Sequence, residues 1–275
     1  MSGPPPGVAA EIPVRRLLGL DFAAVPPAAI LAWVLARPAA AGFAYVVTPN
    51  ADHLVRLRRQ PDLLPVYAGA ALRLLDSRVV RLAARGLGLP APPVVPGSDL
   101  TAALLAALPA GERVTLVGLP QAWLPALCRR TGLTDPAHCD PPPRFEHDPA
   151  ALAAVVRFVE AHPARFVLLA VGAPRQELLA AAIAARGRAT GLGLCVGAAL
   201  DFLAGRSRRA PGWMQAAGLE WLHRLGQDPA RLARRYLRED PAIFAMLLAA
   251  RRGAYTTPEA GAGCVSRPPS ARCRR

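Results

Sequence analysis

Four arginines near the end of the chain, Arg231, Arg234, Arg235 and Arg238, fall at i, i+3, i+4 and i+7. On a helix that spacing gathers them on one face. A guanidinium stripe stays charged and grips oxyanions in pairs, so it suits phosphates or an anionic membrane; a solvated helix face is the plainer alternative. The first three of these close a stretch, 201–236, that holds seven arginines and two tryptophans. Upstream, Asp76 ends the apolar run LRLLD (72–76). A carboxylate at a strand end facing a cleft can accept a proton from an attacking hydroxyl, whereas Asp76-Ser77 can equally cap the next helix. Thr48 and Asn50 offer hydroxyl and amide contacts at another strand end, with helix capping again the alternative. In VGAPRQE (171–177), Gly172 admits close backbone approach, and Pro174 opens a helix whose free N–H groups favour an anion. Arg175 and Gln176 add donors there, although strand–Gly–Pro–helix is also ordinary punctuation. Asp201, just past GLGLCV (191–196), is placed to bond a ribose or base, or to cap a helix.

Other chemistries find no support. The glycines at 191, 193 and 197 have the wrong spacing and place for a dinucleotide loop. The histidines at 53, 138, 147, 162 and 223 form no HxH or HExxH pair, and there is no GxSxG. Five cysteines without a CxxC predict neither a metal site nor a disulfide framework.

The elements that must carry these residues are short apolar runs alternating with helical patterns. Strands are expected at 43–48, 72–76, 113–117, 166–171 and 192–196. Helices are expected at 27–37, 51–59, 61–70, 78–86, 98–108, 121–131, 149–162 and 175–186, with 132–149 as a loop. Such alternation implies parallel β-α-β units, hence an α/β fold with a Rossmann-like sheet covered by helices on both faces. After 200 the strand pattern stops, and 211–252 reads as helices punctuated by Pro211, Pro229 and Pro241. The expected organisation is a disordered 1–12, an α/β body at 13–205, a basic helical appendage at 206–252 and a disordered tail at 253–275.

The 275 residues are 53% apolar, ample for one large domain, and carry a formal net charge of +14 without a single lysine. Anionic partners fit that charge, part of which reflects a composition dominated by Ala, Arg, Pro and Leu. Nucleic acid fits less well: aromatics are 5%, and no helix-turn-helix, RNP or zinc-finger pattern is present. The start of the chain lacks the pattern of a secretory leader. No apolar run approaches the ~18 residues needed to cross a bilayer.

Taken together, TPNADHL (48–54), LLDSRVV (74–80), PGSDL (96–100), VGAPRQE (171–177), VGAALDFLAGRSRRAP (196–211) and GLEWLHRLGQDPARLARRY (218–236) resemble the WecG/TagA/CpsF glycosyltransferases over about 15–240. The last two blocks are the most specific. The resemblance implies transfer of a sugar, often N-acetylmannosamine or a relative, from a UDP donor to a polyprenyl-diphosphate-linked acceptor in exopolysaccharide or cell-surface glycan assembly. It implies inversion, no cofactor and no metal. It also implies a cytoplasmic enzyme peripheral to the inner face of the membrane and able to self-associate. By resemblance Asp76 is the general base, Thr48 and Asn50 line its pocket, and Gln176 and Asp201 lie near the nucleotide. Arg224, Arg231 and Arg234 then meet the diphosphates. Three positions depart from the pattern: Ser77 replaces a glycine, Val94 and Val95 stand where an arginine is usual, and the glycine-rich stretch after 113–117 shrinks to Gly118-Leu119-Pro120. These departures imply a different donor sugar, a weaker enzyme, or compensation by Arg73, Arg78 or Arg81; loss of catalysis, leaving a scaffold, is the alternative.

Overall fold

The computed structural model describes residues 12–257. Of the ends expected to be disordered, 1–12 and 253–275, residues 1–11 and 258–275 lie outside the described residues. Residues 253–257 pack on the body: the Tyr255 hydroxyl donates to the Leu18 carbonyl, and the Arg58 guanidinium lies over the Tyr255 ring.

A hairpin, β1 (Val14–Leu17) and β2 (Leu20–Ala23), precedes α1 (Pro27–Leu35). Then come β3 (Ala44–Val47), α2 (Ala51–Arg59), α3 (Leu64–Ala68), β4 (Leu72–Arg73), α4 (Arg78–Gly86) and α5 (Gly97–Ala107). The next units are β5 (Val114–Val117), α6 (Leu124–Thr131), β6 (Ala137–Cys139), α7 (Pro149–Ala161), β7 (Phe166–Leu169), α8 (Arg175–Arg186) and β8 (Leu192–Cys195). Strands β3 to β8 form one parallel sheet in the order β4-β3-β8-β7-β5-β6. The expected α/β architecture is therefore present, with all five expected strands in place. Two strand features were not anticipated. The hairpin adds a small antiparallel sheet, and the expected loop 132–149 contains β6, a three-residue edge strand.

Buried strands alternate their side chains between two cores. Tyr45, Val47, Leu169 and Cys195 face a core closed by α2, α3, α4, α7 and α8. Val46, Leu116, Leu168 and Leu194 face the other, closed by α1, α5, α6 and α9 (Ala199–Ala204).

Beyond α9 lie α10 (Gly212–Ala216), α11 (Glu220–Gln227), α12 (Pro229–Arg234), a π turn (Arg235–Glu239) and α13 (Ala242–Arg251). The π turn breaks the arginine periodicity. Arg234 lies largely in solvent, paired with Glu239 at 3.0 Å, while Arg235 turns inward. The two do not share the face that helical spacing gave them. α13 is two-sided: Ile243, Met246 and Leu247 are buried in the first core, whereas Phe244 and Leu248 are exposed. Among the described residues no helix is long and apolar enough to cross a membrane.

Candidate active site

The carboxyl ends of all six parallel strands open into one cleft of about 1180 Å³. Thr48 follows β3, Gly118 follows β5, Asp140 follows β6, Ala170 follows β7, and Val196 follows β8; Asp76 sits beyond β4. Ligands collect at this edge of a parallel sheet, and the volume exceeds that of an ordinary small-molecule pocket, roughly 300–1,000 Å³.

Asp76 is held in the cleft by a division of labour with its neighbour. Ser77, where the resembled pattern has glycine, takes the capping role, its hydroxyl accepting the Val80 N–H at 3.2 Å. That leaves the Asp76 carboxylate unspent on the helix. One of its oxygens accepts the Gly97 N–H at 3.3 Å. Burial raises its pKa from 3.8 to about 6, the Glu220 carboxylate adds to the rise, and the Gly97 N–H, Arg224 and Arg209 oppose it. A carboxylate so placed is ionised at neutral pH yet basic enough to take a proton.

Thr48 also lines the cleft, but its hydroxyl donates to the Cys195 carbonyl at 3.1 Å, joining β3 to β8. Asn50 caps α2 through the His53 N–H and accepts from Arg235 Nη2 at 3.4 Å. Arg175 lines the cleft at the start of α8. The Gln176 N–H, expected to be free, donates instead to the Gly172 carbonyl. Asp201 lines the cleft, but its carboxylate holds Arg206 at 2.9 Å rather than standing free for a ribose.

Arg224 enters the cleft from α11, with its guanidinium 5.7 Å from the Phe202 ring centroid. Such stacking holds the planar group while leaving its edge donors available. Arg234 is not among the cleft-lining residues, and the Arg231 side chain lies outside what the structure describes.

The expected compensation divides three ways. Arg73 donates to the carbonyls of Asp21, Tyr67, Ala68 and Ala70, so it braces the sheet edge and does not reach the cleft. Arg81 does not line the cleft either. Arg78 does, as does Val94, and it donates to the Gln215 carbonyl at 3.0 Å.

Among the cleft residues that the sequence reading did not single out are Arg206, Arg235, Glu220 and Asp140. Arg206 lies inside the 196–211 block and Arg235 inside the arginine stripe, so both had a signal that was assigned elsewhere. Glu220 likewise lies inside the 218–236 block, whereas Asp140, in the expected loop, had no signal. Arg235 connects the C-terminal segment to α2, lying 3.4 Å from Asp52 and 3.8 Å from Asp240. Gly118 makes the cleft floor possible: at φ +98° a Cβ would lie 2.8 Å from the Ala170 backbone. His138 secures the same turn, its Nε2 lying 3.1 Å and 2.9 Å from the Gly118 and Leu119 carbonyls. Among the described residues no group of three or more His, Cys, Asp or Glu is arranged to hold a metal ion.

The cleft thus joins two carboxylates raised to about 6, Asp76 and Asp240, to several guanidinium groups, the combination that moves a proton from a hydroxyl while stabilising a departing anion. The chain matches the family described as Glycosyl transferase WecG/TagA/CpsF over residues 15–257 and belongs to it. It is a glycosyltransferase of cell-surface glycan biosynthesis by that membership.

Proposed function

We propose that the protein transfers a sugar from a UDP-sugar to an acceptor sugar carried on polyprenyl diphosphate, with inversion and without a metal ion. The observation that carries this reading is that Asp76 and Arg224, from opposite ends of the sequence, line one cleft. Asp76 takes the proton of the acceptor hydroxyl. The hydroxyl oxygen forms its bond to the anomeric carbon as the carbon–oxygen bond to UDP breaks, and that electron pair leaves on the β-phosphate. Displacement from the opposite face inverts the centre, so a single base suffices. Arg224, Arg206 and Arg175 are the cations that receive the leaving diphosphate, a task a metal performs elsewhere. Thr48 and Asn50 shape the floor beside the base, while Gln176 and Asp201 border the nucleotide.

In this reading residues 206–252 complete the site and approach an anionic membrane on the cytoplasmic side. Trp213, Leu237, Phe244 and Leu248 are exposed on that segment, and apolar side chains among arginines suit a lipid interface.

The test incubates wild type and Asp76→Asn with a panel of UDP-sugars and a polyprenyl-diphosphate-sugar analogue, reading the lipid product by mass spectrometry. Wild type is expected to add one sugar and the variant none. Equal UDP release by both across the panel overturns the reading.

A further inference from the structure

Glu177 is fully buried, yet one of its carboxylate oxygens, Oε2, has no hydrogen-bond partner. The mechanism does not use this residue. Its other oxygen accepts from Gln176 Nε2 at 2.8 Å, and Gln176 Oε1 in turn accepts the Gly197 N–H at 2.9 Å. Gln176 is 2% exposed and lines the cleft, as does Gly197. Gly197 sits at φ +56°, in the turn between β8 and α9 that leads to Asp201. Three groups thus form a chain from the core beneath α8 to the cleft floor.

The chemistry of the chain fixes its direction. The Gly197 N–H can only donate, so the Gln176 carbonyl must face it. The Gln176 NH₂ must then face residue 177, which needs an acceptor there. Glutamate supplies one in either protonation state. With the carbonyl directed at Gly197 and one hydrogen at Glu177, the second Nε2 hydrogen is uncommitted among the described residues.

We infer that Glu177 is a positioning residue: through Gln176 it locks the cleft-floor amide so that the ligand meets an N–H donor, selecting an acceptor atom, a phosphate or hydroxyl oxygen, at that point. The ligand half of this inference rests on the proposed UDP-sugar reading; the locking half does not. Burial is the main cause that raises the Glu177 carboxyl to about 7, with Gln176 opposing it. The groups around it are Arg56 and Asp52 on α2, Tyr45 on β3, Tyr67 on α3 and Cys195 on β8.

The test follows the Gln176 side-chain NH₂ and the Gly197 amide by ¹⁵N–¹H spectroscopy between pH 5.5 and 8.5, in wild type and Glu177→Gln. Both signals are expected to titrate in wild type and to be flat in the variant, which keeps an acceptor oxygen but cannot ionise. Signals that titrate alike in both proteins, or in neither, overturn the locking. Calorimetry with UDP supplies the second arm. Glu177→Met, apolar and of similar size, is expected to weaken UDP binding by about tenfold, the loss expected for one buried hydrogen bond to a charged group. Glu177→Gln is expected to retain wild-type affinity. Equal UDP affinity in wild type and a folded Glu177→Met overturns the ligand half. A wild type that binds no UDP while its Gln176 signals titrate removes the proposed donor and leaves the locking intact.

Discussion

Asp76 Oδ2 accepts the backbone N–H of Gly97 at 3.3 Å, tying the strand-end carboxylate to the first residue of α5. A positive helix terminus thus anchors one oxygen, and the second remains to meet an acceptor hydroxyl. The catalytically competent form is the ionised one. With the pKa raised to about 6, kcat/KM should climb with pH through that value and level off above pH 7. Glu220 is the second cause of the rise. Removing its charge in Glu220→Gln should move the climbing limb to lower pH. An unmoved limb in a pH–rate profile of that variant removes Glu220 from the account.

The same carboxylate makes stability depend on pH. Its folded pKa, about 6, lies above the ordinary value of 3.8. The contribution is therefore fully present below about pH 3.8 and is lost as pH rises through about 6. Asn at 76 cannot ionise and still offers Gly97 an acceptor. Asp76→Asn should be more stable than wild type by a free energy that grows from pH 4 to pH 8, with an upper limit of about 3 kcal/mol, and its Tm advantage should widen over the same range. Parallel melting curves across that range would show that burial does not penalise the charge.

Arg224 and Arg234 share a motif and separate in space. Arg224 stacks on Phe202 inside the cleft, whereas Arg234 meets Glu239 in solvent. Arg224→Ala should therefore weaken UDP binding by at least about tenfold, the scale of one charge-assisted contact. Arg234→Ala removes an exposed pair worth at most about 1 kcal/mol and should bind UDP as wild type does. Calorimetry on the two variants decides it, and equal losses would place Arg234 at the ligand.

What the sequence disclosed follows the range of the forces involved. Strands β3, β5, β7 and β8 are apolar on both faces and bounded by helical patterns, so local composition revealed them. β6 is the tripeptide Ala137-His138-Cys139; its pairing with β5 is a tertiary fact with no local period. The capping choice at 76–77 was open because two adjacent polar residues offer the same oxygen chemistry. Backbone geometry gave the cap to Ser77. At Asp201 the residue was visible, but its Arg206 partner was not, since a charge looks free until the chain is folded. The arginine stripe misled for a related reason. Helical spacing presumes an uninterrupted helix, and the π turn at Arg235 rotates the later positions.

α13 tests whether the C-terminal segment is separable. Ile243, Met246 and Leu247 are all at or below 6% exposure and close the core over α2 and α4. A chain ending near residue 205 would uncover that apolar surface and also lose the Arg235 bridge to Asp52 and Asn50. Such a truncation should unfold at lower temperature or aggregate, rather than persist as an intact body. Leu247→Ala probes the same packing with one side chain and should cost about 2–5 kcal/mol, the range for a leucine removed from a packed core. Phe244→Ser, on the exposed side of the same helix, should leave Tm nearly unchanged while reducing sedimentation with anionic vesicles. Chemical denaturation and vesicle sedimentation of the two variants separate the roles. A stable truncated body would show that α13 contributes little to the core. Undiminished sedimentation of Phe244→Ser would take this face away from the membrane.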